Sequence, residues 1–209
     1  MISLATVAAF SCTAVILALV PGPDNLFVLA QSALIGARRG AVLTLGLCSG
    51  LLIYSAAVAF GVAYLFAESE VAFVTLKAVG ACYLLYMAYG AFRAGGAATA
   101  NSQAKLESPF RAYLRGVVMN LSNPKVAIFF LAFLPQFTSP AAGSIRLQLL
   151  ELGGIFTVCA LTVFMGISQL AGRLSGWMLK SERSLRLLNQ SAGVIFVLLA
   201  VKVAVTSRH

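Results

Sequence analysis

The chain has 209 residues, 60% of them hydrophobic and only 10% charged, with a mean hydropathy of +0.94. Soluble domains carry about 25% charged residues, so a soluble fold is excluded; at about 20 residues per helical crossing, six spans fit and no extra soluble domain does. The net charge of +9 calls for no nucleic-acid partner, because Lys and Arg gather in the cytoplasmic loops of membrane proteins.

The first predicted segment covers 3–35 and is interrupted by Val20-Pro21-Gly22-Pro23-Asp24-Asn25. Unbroken, it would be about 50 Å long, against a hydrocarbon core of about 30 Å. Proline removes a helical N–H and clashes with the preceding turn. Freed backbone groups and a carboxylate at this depth are both costly in lipid. No basic residue precedes the apolar run, so this helix is expected to be retained rather than cleaved as a signal peptide. Gly36-Ala37-Arg38-Arg39-Gly40 is expected to form a tight basic loop. The second segment, 41–66, carries Gly46 and Gly50 at a spacing that lets helix backbones approach closely. A short acidic turn at 67–70 leads to the third segment, 71–92. There Lys77 is placed to snorkel, and Tyr83, Tyr86 and Tyr89 read as packing and interfacial anchors.

A polar linker at 94–109 marks the midpoint. The fourth segment, 110–137, is interrupted at Asn120-Leu121-Ser122-Asn123-Pro124-Lys125. The fifth covers 147–170 and the sixth 187–205, with a basic loop between them. Cys12, Cys48, Cys82 and Cys159 all lie in apolar runs without metal or redox spacing and are expected to be small buried hydrophobes. His209, at the end of the chain, is expected to be solvated.

Ten basic residues fall on one side of this arrangement: Arg38, Arg39, Arg93, Lys105, Arg111, Arg115, Arg173, Lys180, Arg183 and Arg186. Only Arg146, Lys202 and Arg208 fall on the other. The positive-inside rule then puts both termini on the periplasmic or extracellular face. The chain is expected to be a single transmembrane transporter domain with halves of about 1–93 and 110–209. Three spans per half insert the halves in opposite directions, an inverted repeat known from secondary transporters. Pro23 and Pro124 stand 101 residues apart, in the first span of each half, and the same offset sets Asp24 against Lys125. The expected fold is therefore an all-α integral membrane protein of about six transmembrane helices. They form two inverted three-helix repeats, with broken helices at the PGPDN and NPK motifs.

Each break reads as the start of a half-helix. Asn123 is a suitable N-cap and Pro124 suits the first helical position; Gly22-Pro23 is a weaker equivalent. Such starts attract anions, so a substrate carboxylate is expected there, with Lys125, Asn120 and Asn123 as partners. Asp24 is placed to take a substrate ammonium. A zwitterionic amino acid carries both groups. Asp24 is also the expected proton-coupling group, since desolvation and a nearby cation act oppositely on a carboxyl. A structural salt bridge with no solute, and for Lys125 a snorkelling role, stand beside these readings.

At these residues the chain resembles a known family. Pro21-Gly22-Pro23-Asp24-Asn25-Leu26, followed by Gly36-(x3)-Gly40-(x5)-Gly46-(x3)-Gly50, resembles the N-terminal signature of the LysE/RhtB amino-acid exporters. Gly116-(x3)-Asn120-(x2)-Asn123-Pro124-Lys125 and the run Phe129 to Phe137 are similar to its second signature, and Leu187-Leu188-Asn189-(x3)-Gly193 to its tail. The resemblance implies export of amino acids or their derivatives across a bacterial inner membrane by proton antiport. It implies no cofactor and no enzymatic activity. Its partners would be a small-molecule substrate and the lipid bilayer, with a homo-oligomer a possible assembly. A metal-ion exporter would favour clustered Cys, His and carboxylate ligands, and a membrane enzyme a nucleophile with its base or a cysteine pair; neither pattern is present. A non-transporting assembly protein accounts for the helices but not for two matched, costly breaks.

Overall fold

The computed structural model describes residues 2–20, 22–62, 70–93 and 108–174, together with residues 190, 193, 194, 197, 198, 200, 201 and 204. Pro21, residues 67–69 of the acidic turn, most of the linker, the basic loop at 175–186, the tail pattern at 187–189 and His209 lie outside the described residues, as do most of the sixth segment and the side chain of Lys77. The described elements are helical throughout.

Helix α1 (Leu4–Leu19) starts at Ser3, whose hydroxyl accepts from the Thr6 N–H at 3.1 Å. Helix α2 (Pro23–Ile35) follows the break with proline at its first position, where a missing N–H costs nothing. The two helices are bent by 59°. The expected basic loop at 36–40 contracts to one residue. Gly36 alone leaves the helix, at φ +109°, a conformation that side chains disfavour. Helix α3 (Ala37–Ala57) begins at once, so Arg38, Arg39 and Gly40 belong to its first turn. The reason is packing. Gly40 lies against the Ser32 and Ser168 hydroxyls, and an added Cβ would collide with both. Ser32 Oγ donates to Ser168 Oγ at 3.1 Å, and Ser168 Oγ donates to the Ala37 carbonyl at 2.7 Å.

Helix α3 ends in a π turn, Val58–Val62. Helix α4 (Glu70–Arg93) matches the third expected segment in extent. Helix α5 (Pro109–Leu121) is capped by Ser108 and leads to the second break. Helix α6 (Pro124–Ile128) then passes into a second π turn, Phe129–Phe133, and a 3-10 turn, Leu134–Phe137. This span is bent by 51°. After a 3-10 turn at Pro140–Ala142, helix α7 (Ile145–Leu174) runs for 30 residues. Buried Gln148 of α7 holds the intervening loop: its Oε1 accepts from the Ser139 N–H at 3.0 Å, and its Nε2 donates to the Ser139 carbonyl at 2.8 Å and to that of Gly143 at 3.1 Å.

Two helices, Ala37–Gly61 and Ile145–Ala171, are long and apolar enough to cross a membrane, and counting each bent pair as one broken span makes up to four among the described residues. Helix α3 lies between α5 and α7, and α7 also packs on α1 and α2. Each broken span therefore leans on a long unbroken helix. The glycines of α3 make the α5 contact possible: Cβ atoms at Gly46 and Gly116 would each strike backbone of the other helix. An aromatic cluster forms the centre of the core, with Phe129 4.8 Å from Phe156 and 5.0 Å from Phe133, and Phe10 5.1 Å from Phe137. Leu4, Phe60, Phe110 and Val158 point outward, as a lipid-facing surface requires. Two of the four cysteines depart from expectation: Cys48 is buried and Cys159 half-buried, but Cys12 and Cys82 are exposed. A helix apolar all round does not distinguish its lipid face from its protein face, so the runs around Cys12 and Cys82 held no information on burial.

Candidate functional site

The break in the first span frees the last carbonyls of α1 from their helical partners. Side chains replace those partners. Lys125 Nζ donates to the Leu17 and Val20 carbonyls, each at 2.9 Å, and Asn25 Nδ2 donates to the Ala18 carbonyl. Lys125 belongs to the other half of the chain. Its ammonium sits at the negative end of α1, the position that a helix dipole favours for a cation. Its stem passes Gly22, where an added Cβ would lie 3.5 Å from Nζ.

The second break is held similarly. Tyr54 Oη of α3 donates to the Leu121 carbonyl at 2.7 Å. Asn123 takes an extended conformation, and its Oδ1 accepts from the Lys125 backbone N–H at 3.0 Å, capping α6 at Pro124 as its sequence suggests. Gly22 is the corresponding extended cap of α2, without a side-chain bond.

The two breaks meet at one cavity of about 20 Å³. Asp24, Asn25, Asn120, Asn123 and Lys125 all line it. Of the other expected site residues, Gly22, Pro23 and Pro124 shape the breaks without lining the cavity, and Pro21 is outside the described residues. Asp24 is only 3% exposed and Asn120 only 1%. Asn120 Nδ2 donates to Asp24 Oδ2 at 3.3 Å. Asn123 and the charge of Lys125 also act on the Asp24 carboxylate. Two acceptor atoms at this site, Asp24 Oδ1 and Asn120 Oδ1, are buried without a hydrogen-bond partner. Leaving a buried polar group unsatisfied costs about 1–3 kcal/mol, more for a charged one. The site is therefore poised for a donor: a proton, a water or an ammonium group.

The remaining walls are apolar. Leu17 and Ala18 come from α1, Leu51 from α3, Val126 from α6, and Phe156, Ala160 and Phe164 from α7. The last three are spaced by four residues, one face of a helix, but in a segment apolar on every side that spacing does not single them out. Tyr54 is likewise missed by sequence reasoning, because its role depends on a carbonyl 67 residues away. No group of three or more His, Cys, Asp or Glu side chains suited to a metal ion occurs among the described residues.

A family model described as "LysE type translocator" matches residues 15–207. The homoserine/homoserine lactone efflux protein of Salmonella typhi is 33% identical over 201 residues, covering 96% of each chain. The leucine efflux protein of Salmonella typhimurium is 31% identical over 198 residues, covering 91% of each. No solved structure matches the chain.

Proposed function

The chain belongs to the LysE type translocator family, and from that premise we propose that it is a secondary exporter of amino acids or their derivatives, driven by proton antiport across a bacterial inner membrane. The observation that carries this reading is the pair of unpartnered acceptors, Asp24 Oδ1 and Asn120 Oδ1, in a cavity where both breaks meet. A substrate ammonium brings three N–H donors to them. Lys125 and Asn123, on the same cavity, supply the complementary side for a carboxylate. The cavity volume suits a single water, so an amino acid enters only when the surrounding helices separate. Efflux of amino acids by the similar Salmonella proteins supports this substrate class.

Coupling is assigned to Asp24. The carboxyl binds either a proton or the substrate's ammonium, and a group that serves one at a time exchanges them across the membrane. The two halves act as inverted repeats around the site, a plan supported by the 101-residue offset of Pro23 and Pro124 and by the matched caps on the preceding carbonyls. Purified protein in proteoliposomes with an imposed pH gradient tests the reading on labelled homoserine, threonine, leucine and lysine. Gradient-driven movement of at least one is expected, and Asp24→Asn is expected to remove its dependence on the gradient. Movement of none of them, or leakage indifferent to substrate, would overturn the proposal.

A further inference from the structure

A second small cavity, of about 10 Å³, lies between α2, α3 and α5 near the Gly36 turn. Phe27, Gln31, Ile35, Arg39, Leu43 and Ala112 line it. Gln31 is 93% buried by its 7% exposure. Arg39 Nη1 is buried without a hydrogen-bond partner. The Arg115 guanidinium stands 5.7 Å over the Phe27 ring that forms one wall. Among the described residues no carboxylate lines this cavity, and Arg39 is its charged lining residue. An unpaired buried guanidinium N–H is costly, and the planar fork it belongs to matches a carboxylate in two-point geometry.

This cavity shares its helices with the Asp24 site. On α3, Leu43 lines the second cavity and Leu51 the first; on α5, Ala112 lines the second and Asn120 the first. Each pair is eight residues apart on one helical face, which separates the cavities by about 12 Å. In sequence register, fully buried Leu47 falls midway between Leu43 and Leu51, and fully buried Val28 between Asn25 and Gln31, the residues that line the two cavities. At the same level Gly116 packs against α3 so closely that an added Cβ would meet the Leu47 backbone N at 2.9 Å.

Building on the exporter reading, we propose that the Arg39–Gln31 cavity, once its walls part, is an entry subsite that captures the carboxylate of the amino acid before it passes the Val28–Leu47 constriction to Asp24. The charge distribution of the loops puts the Gly36 turn on the cytoplasmic side, where an exporter's substrate arrives. Arg39 binds the carboxylate, Gln31 adds a hydrogen bond, and the substrate's ammonium is left leading toward Asp24 and Asn120.

The test measures export from proteoliposomes of labelled homoserine and leucine, each beside its carboxamide, which keeps the ammonium and removes the negative charge. Arg39→Gln is expected to raise KM for the amino acid at least tenfold with kcat within about twofold, and to leave the carboxamide unaffected; Arg39→Lys should recover part of the loss. Equal effects on acid and amide, or an unchanged KM, would overturn the subsite while leaving the exporter reading intact. Failure of the wild-type protein to move any amino acid would overturn both. Vesicles of phosphatidylcholine alone and with phosphatidylglycerol distinguish a lipid headgroup. An Arg39→Gln effect confined to the anionic lipid assigns the cavity to lipid phosphate and sinks the proposal, and one that persists in both supports it. A thermal unfolding curve for each variant identifies misfolding, and a KM change in a variant that unfolds like the wild type is required for support.

Discussion

Lys125 is the residue on which the broken first span most depends. Its ammonium serves two carbonyls of α1 and lines the cavity with Asp24. Lys125→Met keeps the length of the stem but leaves the Leu17 and Val20 carbonyls without that donor. With about 1–3 kcal/mol for each orphaned buried acceptor, the variant should unfold several degrees below the wild type in a thermal melt. It should also fail to transport. Transport loss with an unaltered melting temperature would mean that the caps contribute little and that the charge acts on substrate alone. The role of Asn120 is separable: Asn120→Leu removes the amide bond to Asp24 Oδ2 but no carbonyl cap. Its melting temperature should fall less than that of Lys125→Met, while its transport should fall comparably.

At the level of elements, the contact of α3 with α5 carries the geometry. A Cβ at Gly46 would collide with the Tyr113 carbonyl oxygen, and one at Gly50 would lie 2.6 Å from Asn120 Oδ1. The first obstacle is backbone and cannot turn aside; the second is a side chain that belongs to the site. Gly46→Ala is therefore expected to destabilise the protein by about 1–3 kcal/mol, the usual cost of overpacking, read as a lowered melting temperature. Gly50→Ala should cost less stability but more activity, because Asn120 must swing away from Asp24. Equal melting temperatures with equal transport for the two variants would show that this interface gives more readily than its packing implies. The π turns at Val58–Val62 and Phe129–Phe133 were not legible in sequence. Widening a helical turn by one residue leaves no compositional mark, and π turns are set by the packing around them.

Across the whole molecule, the proposed transport through the Asp24 site requires that the walls of a cavity of about 20 Å³ come apart. Helix α7 contacts both parts of the first broken span, and Ser32 and Ser168 join α2 to it with Oγ atoms 3.1 Å apart. In a background with Cys12, Cys48, Cys82 and Cys159 replaced by alanine, Ser32→Cys with Ser168→Cys should form a disulfide that stops transport under oxidation and releases it on reduction. Full activity of the cross-linked protein would show that α2 and α7 move as one body. Orientation is testable in the same background: Ser3→Cys should react with a membrane-impermeant maleimide on intact cells, and labelling only after permeabilisation would reverse the assigned topology.

Much of the molecule was readable from residue order because lipid makes certain choices expensive. Proline, amide and charge inside apolar runs marked both breaks, and proline at the first helical position placed the starts of α2 and α6. Asp24, Asn25, Asn120, Asn123 and Lys125, which line the cavity between the breaks, stood out for the same reason. What residue order left open was how these groups divide their bonds. Tertiary contact alone decided that Lys125 caps α1, that Tyr54 caps α5, that Asp24 Oδ1 and Asn120 Oδ1 stay without partners, and that Phe156, Ala160 and Phe164 close the cavity. Polarity within a membrane span is a local signal carrying its own energetic cost; the partner that offsets that cost lies up to 136 residues away, and only packing brings it within reach.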